Sequence, residues 1–263
     1  MTRLVAVGDL MVDVLVTGRG HDAAATLRPG GAAANVSAWA VAAGATATAV
    51  GWVGDDHAGR WLRTLLAERG VGSEIGVLPG HPTGVFVLLD DGIRAAPGAN
   101  RAFTPELLRG PVDADAVFVS GYLPAPTVFA VADRARARFV AVAAGCLEAL
   151  PPAANVVLAN EREATALTGL GPGDAARALA AGRALACVTT GARGVVACTG
   201  GALLTAGPLR VVDSAALGAG DAFAAGLLVA LAEGAAAPAA LTAACELAAR
   251  AAEAPDGWPA AAA

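Results

Sequence analysis

The chain has 263 residues, a formal net charge of −5, 56 % hydrophobic residues and only 4 % aromatic ones. Its length admits one α/β domain with a small appended piece, and its acidic balance offers no basic stripe for a nucleic acid. Every one of the 18 positive side chains is Arg, which excludes a catalytic Lys, a Schiff base and a Walker-type phosphate loop. Ala carries much of the hydrophobic fraction, and that suits thin helices packed closely on a sheet.

Leu4 to Val7 reads as a buried strand ended by Gly8-Asp9, and Met11 to Val16 as a weakly alternating one with Asp13 among apolar neighbours. Asp9 and Asp13 interrupt the first apolar run, so a secretory signal is not expected and the protein is placed in the cytoplasm. Gly18-Arg19-Gly20-His21-Asp22-Ala23 imitates a dinucleotide fingerprint, but no acidic residue lies about 20 positions on and Pro29-Gly30-Gly31 cuts off a helix. A helix follows from Gly31 to Gly44, then a strand over Ala45 to Val50. This uncharged stretch, with Asn35, Ser37, Thr46 and Thr48, is helix plus strand rather than a membrane span.

Gly51-Trp52-Val53-Gly54-Asp55-Asp56 caps the next helix, whose Trp61, Leu62, Leu65 and Leu66 share one apolar face. Gly84 to Leu89 and Ile93 to Ala96 form a hairpin about Asp91-Gly92. With Met11 to Val16 they predict a small separate sheet, a lid across one end of the main sheet. From Val117 a strand–helix rhythm resumes. Strands are predicted over Val117–Ser120, Phe139–Ala143, Val156–Ala159 and Leu185–Thr189, with a hairpin over Val195–Cys198 and Leu203–Thr205. Such units imply a mainly parallel sheet with ligands at the strands' C-terminal ends. Cys146, Cys187, Cys198 and Cys245 are scattered without metal spacing and read as reduced core thiols.

Val211-Val212 leads into Gly218-Ala219-Gly220-Asp221 and a helix running to about Glu233. Small residues let backbone N–H groups close on a ligand, and at a helix N-terminus those groups favour an anion such as a phosphate. A carboxylate beside a bound phosphate suits a base that takes the proton of an attacking hydroxyl. The same four residues also make an ordinary helix cap. Asn160 with Glu163 likewise reads, by itself, as a capping box.

The order of these motifs, from Val5 to about Glu233, resembles the ribokinase-like (PfkB) family of carbohydrate kinases. It is carried by Val7-Gly8-Asp9 with Asp13, Gly30-Gly31-Ala32-Ala33-Ala34-Asn35, Gly51-Trp52-Val53-Gly54-Asp55-Asp56 and Thr83-Gly84. Further on lie Gly98-Ala99-Asn100, Asn160-Glu161-Arg162-Glu163, Thr189-Thr190-Gly191 and Gly218-Ala219-Gly220-Asp221. The resemblance implies a single α/β domain over 1–263, a three-layer sandwich around a mainly parallel sheet, with a β lid from about 10–18 and 82–97.

It further implies that Asp221 is the catalytic base and that Gly218, Ala219 and Gly220 form an anion hole. Asp13, Gly31, Asn35 and Asn100 match the substrate end, and Asn160, Thr189, Gly191 and Gly220 the nucleotide end. Glu163 matches a position that orders water around Mg²⁺, an ion that commonly keeps several waters. The family's usual Asp three residues before the first Gly is here Ala215, and Asp213, two positions further back, is the residue implied for a K⁺ site. The expected activity is ATP-dependent, Mg²⁺-requiring phosphorylation of a hydroxymethyl group on a sugar. The alternatives are a nucleoside kinase, for which only Phe86, Phe103 and Tyr122 are placed to stack on a base, and a non-catalytic binder of sugar or nucleotide. A homodimer through the lid is the implied assembly.

Overall fold

A computed structural model describes residues 1–207, 217–254 and 257–259. The first half runs β1 (Arg3–Val7), β2 (Met11–Thr17), β3 (Ala24–Gly30), α1 (Ala32–Ala42), β4 (Thr46–Gly54), α2 (His57–Glu68), β5 (Gly72–Leu78), β6 (Gly84–Leu89), β7 (Gly92–Ala96), the short β8 (Val112–Asp113), β9 (Ala116–Ser120) and α3 (Ala125–Arg134). The second half runs β10 (Ala135–Arg136), β11 (Phe139–Ala143), β12 (Val156–Asn160), α4 (Glu161–Thr168), α5 (Pro172–Leu179), β13 (Leu185–Thr189), β14 (Val195–Thr199), β15 (Ala202–Ala206), α6 (Ala219–Ala232) and α7 (Ala237–Glu253).

The central sheet has the order β15-β14-β13-β12-β11-β9-β1-β4-β5. All neighbours from β13 to β5 are parallel, and only β14 and β15 run antiparallel. Parallel strands must be covered on both faces, which is why Ala116-Val117-Phe118-Val119 carries no polar residue. Ala116 and Phe118 join the core under α1, α2, α6 and α7, while Val117 and Val119 join the one under α3. A third cluster of Val157, Ala159, Ala186 and Val188 packs under α4 and α5. The Ala-rich composition explains the close fit: residues Ala32 to Ala40 of α1 are all buried, as expected of a helix apolar around its whole circumference.

A second sheet, β3-β2-β6-β7, stands at one end. The hairpin and its pairing with Met11–Thr17 match the lid that the sequence predicts, with β2 parallel to β6 and β6 antiparallel to β7. The lid is wider than the segments 10–18 and 82–97, because β3 adds an antiparallel edge. Its Ala-Ala-Thr-Leu-Arg-Pro has no alternating pattern, and Pro29 is tolerated only because the strand is an edge. One further strand also lacked a sequence signal, and another runs past its predicted end. β5 holds Gly72 and Gly76 where side chains normally mark a strand, and its packing comes from the Trp52 ring lying over Gly76. The strand β4 runs on to Gly54 rather than ending at Val50, so Asp56 alone caps α2, through Gly59 N at 2.8 Å.

Asp56 also fastens the lid to the body. Its carboxylate accepts from Thr83 N at 2.7 Å and Thr83 Oγ1 at 2.6 Å, and Thr83 Oγ1 accepts from Gly54 N at 3.0 Å. Burial works against the charge, yet the bonds from Thr83 and Gly59 hold the Asp56 carboxyl below its ordinary range. Thr83 is 2 % exposed. Thr83→Val keeps the shape and strips both hydroxyl bonds, so chemical denaturation should register a loss of about 1–3 kcal/mol.

Cys187, Cys198 and Cys245 are buried and unpaired, as expected; Cys146 is exposed, which corrects its reading as a core thiol. Among the described residues no helix is long and apolar enough to cross a membrane.

Candidate active site

The chain leaves β1 through Gly8-Asp9 and turns into β2, while α1 begins alongside. Asp9, 6 % exposed, accepts from Ala32 N at 3.2 Å and from Ser120 Oγ at 2.7 Å. A carboxylate thus sits at the positive end of α1 and ties it to the C-terminal end of β9. Gly31, the N-cap, has φ +88°, and a Cβ there would run into the backbone of Asp9 and Leu10. Only glycine fits this entry.

Asn35 projects from the first turn of α1 toward the N-terminus of α6. Its Nδ2 donates to Asp221 Oδ2 at 2.8 Å, and its Oδ1 accepts from Trp258 Nε1 at 2.6 Å. Asp221 stands in the first turn of α6, behind Gly218 in the left-handed conformation (φ +82°, ψ −4°) and Ala219 and Gly220. The carboxyl is pushed up to about 7. Burial is the main cause, Asp9, Asp13 and Glu163 add repulsion, and the Asn35 hydrogen bond opposes the rise. A carboxylate with that affinity is half-protonated near neutrality, where proton exchange with a substrate costs least.

Asp13 lies on β2 directly opposite Arg28 of β3. Burial first, then Asp9, raises its carboxyl to about 7, and Arg28 offsets part of this. Its carboxylate occupies the space a side chain at Gly30 would take. That close approach is why two glycines precede α1. Arg28 makes no direct ion pair with Asp13, and its Nε is buried without a hydrogen-bond partner. The structure therefore brings Asp13, Gly31, Asn35, Gly218, Ala219, Gly220 and Asp221 to one junction between the lid and the C-terminal edge of the sheet.

Asn100 behaves differently. It is 2 % exposed; its Oδ1 accepts from Leu10 N at 2.9 Å and both amide protons go to carbonyls, Leu10 O at 3.0 Å and Pro97 O at 2.9 Å. It braces the start of β2 instead of presenting an amide to a ligand. Phe103, expected near a base, is fully buried and meets Trp52 edge-on at 6.3 Å between ring centres.

Asn160 and Thr189 close β12 and β13 as neighbours in register. Asn160 and Glu163 form a full capping box: Asn160 Oδ1 accepts from Glu163 N at 2.9 Å and Glu163 Oε2 from Asn160 N at 3.1 Å. Glu163 Oε1 also accepts from Tyr122 Oη at 2.9 Å. Burial first, then Glu163, raises the Tyr122 phenol, although the residue as a whole is 51 % exposed. Gly191 opens the turn after β13 with φ +62°. No three His, Cys, Asp or Glu side chains gather as a metal cluster among the described residues. A single carboxylate such as that of Glu163 fits an ion held mostly by phosphates and water. Asp213 lies outside the described residues.

The residues that sequence reasoning missed are Trp258, Ser120 and Arg28. None carried a local signal: Trp258 and Asn35 are 223 positions apart and Ser120 and Asp9 are 111 apart.

Comparison with known proteins identifies the family. A cytidine kinase from Thermococcus kodakarensis is 28 % identical over 257 residues, covering 89 % of this chain and 90 % of the relative. The structure of Arabidopsis thaliana ribokinase with ribose and ATP superposes with a TM-score of 0.83 at 23 % identity, covering 98 % of this chain and 96 % of that one. That of adenosine kinase from Sinorhizobium meliloti gives 0.80 at 22 % identity, covering 98 % and 96 %. The family model described as pfkB family carbohydrate kinase matches residues 1–257. The chain accordingly belongs to the PfkB family of carbohydrate kinases and is a phosphotransferase with an alcohol acceptor.

Proposed function

We propose that the protein transfers the γ-phosphoryl group of ATP to a hydroxymethyl group of a sugar or sugar derivative, with Asp221 as the base. The observation that carries this reading is the Asp221 carboxyl at the N-terminal turn of α6, hydrogen-bonded to Asn35 at 2.8 Å beside the Gly218–Gly220 backbone. Asp221 takes the proton as the hydroxyl attacks, and the N–H groups of the turn meet the charge that develops on the transferred group. Asp13 receives a second hydroxyl of the acceptor, and the remaining N–H of Asn35 is a further donor. Gly31 and Asn100 shape the substrate end through the backbone.

Asn160, Thr189 and Gly191 hold the nucleotide, and Glu163 orders water around Mg²⁺. When bound, Mg²⁺ neutralises phosphate charge. Closing the lid against the body excludes water, which would otherwise compete as acceptor. We place contact between two copies at the same lid, where Leu27 and Ile93 are 62 % and 54 % exposed.

A nucleoside presenting its ribose hydroxymethyl is the second acceptor class. The half-exposed Tyr122 beside Glu163 favours it, as does the cytidine kinase among the relatives. An ADP-release assay over sugars and nucleosides decides between them. Turnover is expected on at least one acceptor, and only with Mg²⁺ present. ATP binding with no turnover on any acceptor would make the protein a binder instead. Running the panel in K⁺ and in Na⁺ alone tests whether the displaced Asp213 serves a monovalent cation.

A further inference from the structure

We propose that Trp258, outside every motif of the family resemblance, is a positioning residue for the phosphoryl-transfer base, because its indole N–H fixes which end of the Asn35 amide faces Asp221. The inference rests on the kinase reading for its kinetic consequence, though not for its geometry.

An amide side chain has a donor end and an acceptor end, and the two are interchanged by a half-turn. An indole N–H can only donate. With Trp258 Nε1 at 2.6 Å, the near end of Asn35 must be the oxygen, which leaves the NH₂ to face Asp221 at 2.8 Å. Were the amide turned round, its oxygen would confront the carboxylate as a second acceptor, and the indole would confront another donor. Both contacts would be lost together. The tail residue thus selects the arrangement in which Asn35 supports the ionised base.

The segment that carries Trp258 is held firmly. Trp39 lies four residues after Asn35 on α1, so both point to one face of the helix, and its Nε1 donates to Gly257 O at 3.0 Å. Arg69 Nε donates to Pro259 O at 3.0 Å, and the Arg69 guanidinium lies over the Trp258 ring at 6.0 Å. Trp258 is 2 % exposed. Gly257 abuts Leu217 O, next to the left-handed Gly218. The tail therefore touches both the Asn35 side chain and the turn that opens α6, so it backs the base and the anion hole together.

The other charged or titratable groups acting on Asp221 are Asp9 from the β1–β2 turn, Asp13 from β2 and Glu163 from α4, with Tyr122 from the segment after β9. Trp258→Phe alters none of them and keeps the ring that packs under Arg69. It removes one proton donor.

The test measures kcat/KM against pH for the acceptor that the panel identifies. In Trp258→Phe the acid limb should move up by about half a pH unit or more, since the support for the ionised base is weakened, and kcat should fall on the order of tenfold with the KM for ATP unchanged. Adding Trp258→Phe to Asn35→Ala should cost less than about twofold further, because one chain of bonds is broken in either case. An unmoved limb, or a full additive loss in the double variant, overturns the proposal.

A second measurement needs no change at position 258. Through Asn35 the indole feels the charge of Asp221, so the wild-type intrinsic fluorescence should show a pH transition that Asp221→Asn lacks. Coincident curves overturn the proposal. If the wild type turns over no acceptor, the proposed function falls while this titration still decides the linkage; if Trp258→Phe does not fold, the titration alone decides it.

Discussion

Asp221→Asn is expected to lower kcat by about two to four powers of ten while leaving ATP affinity within about twofold. The amide keeps the shape and can still accept from Asn35, so the anion hole and the nucleotide end are undisturbed. What is lost is the capacity to take a proton.

The same substitution should stabilise the fold at alkaline pH. In the unfolded chain Asp221 ionises near 3.8, and in the folded chain at about 7. Between those values the folded state holds a proton that the unfolded state has released, so stability falls as pH rises from about 4 to about 7 and stays reduced above it. Asparagine removes that penalty. Thermal denaturation should show a gain in Tm at pH 8 that shrinks toward zero near pH 4. A loss of both activity and stability would mean that Asp221 is a structural cap rather than a base.

Asp13→Ala is expected to raise the acceptor KM by about one to two powers of ten, the worth of a hydrogen bond to a charged group, with the KM for ATP unchanged. Asp13 is held against Gly30 and opposite Arg28 at the lid side of the junction, so its removal leaves the nucleotide end intact. Gly30→Ala offers an independent check, since its methyl group displaces the Asp13 carboxylate without deleting it, and the acceptor KM should move in the same direction. A rise confined to ATP would remove Asp13 from the acceptor.

The parts of the site that could be read in the sequence are those whose physics is local. Gly218 to Asp221 is a helix start with a carboxylate in its first turn, and Asn35 follows a glycine pair at the start of another. Their meeting at 2.8 Å, across 186 positions, is a tertiary outcome that only the ordered set of motifs foretold. Asn100 matched a motif position, yet its amide is used by Leu10 and Pro97, because the turn into β2 leaves backbone groups that a buried side chain must satisfy.

β3 escaped notice because an edge strand needs no buried alternating face, and Leu27 on it is indeed 62 % exposed. Trp258 escaped because a tryptophan near a Pro-rich tail carries no spacing or periodicity. Its partner is chosen by the packing of α1 against the segment after α7, and nothing in the neighbouring residues encodes that.

The most direct test of Asp221 as the base is the pH dependence of kcat/KM for the acceptor in the wild type and in Asp221→Asn. The wild type should lose about tenfold per pH unit below about 7 and reach a plateau above it, while the residual rate of Asp221→Asn shows no such limb. A wild-type profile flat from about pH 5.5 to 8.5, or the same limb surviving in Asp221→Asn, would contradict the assignment.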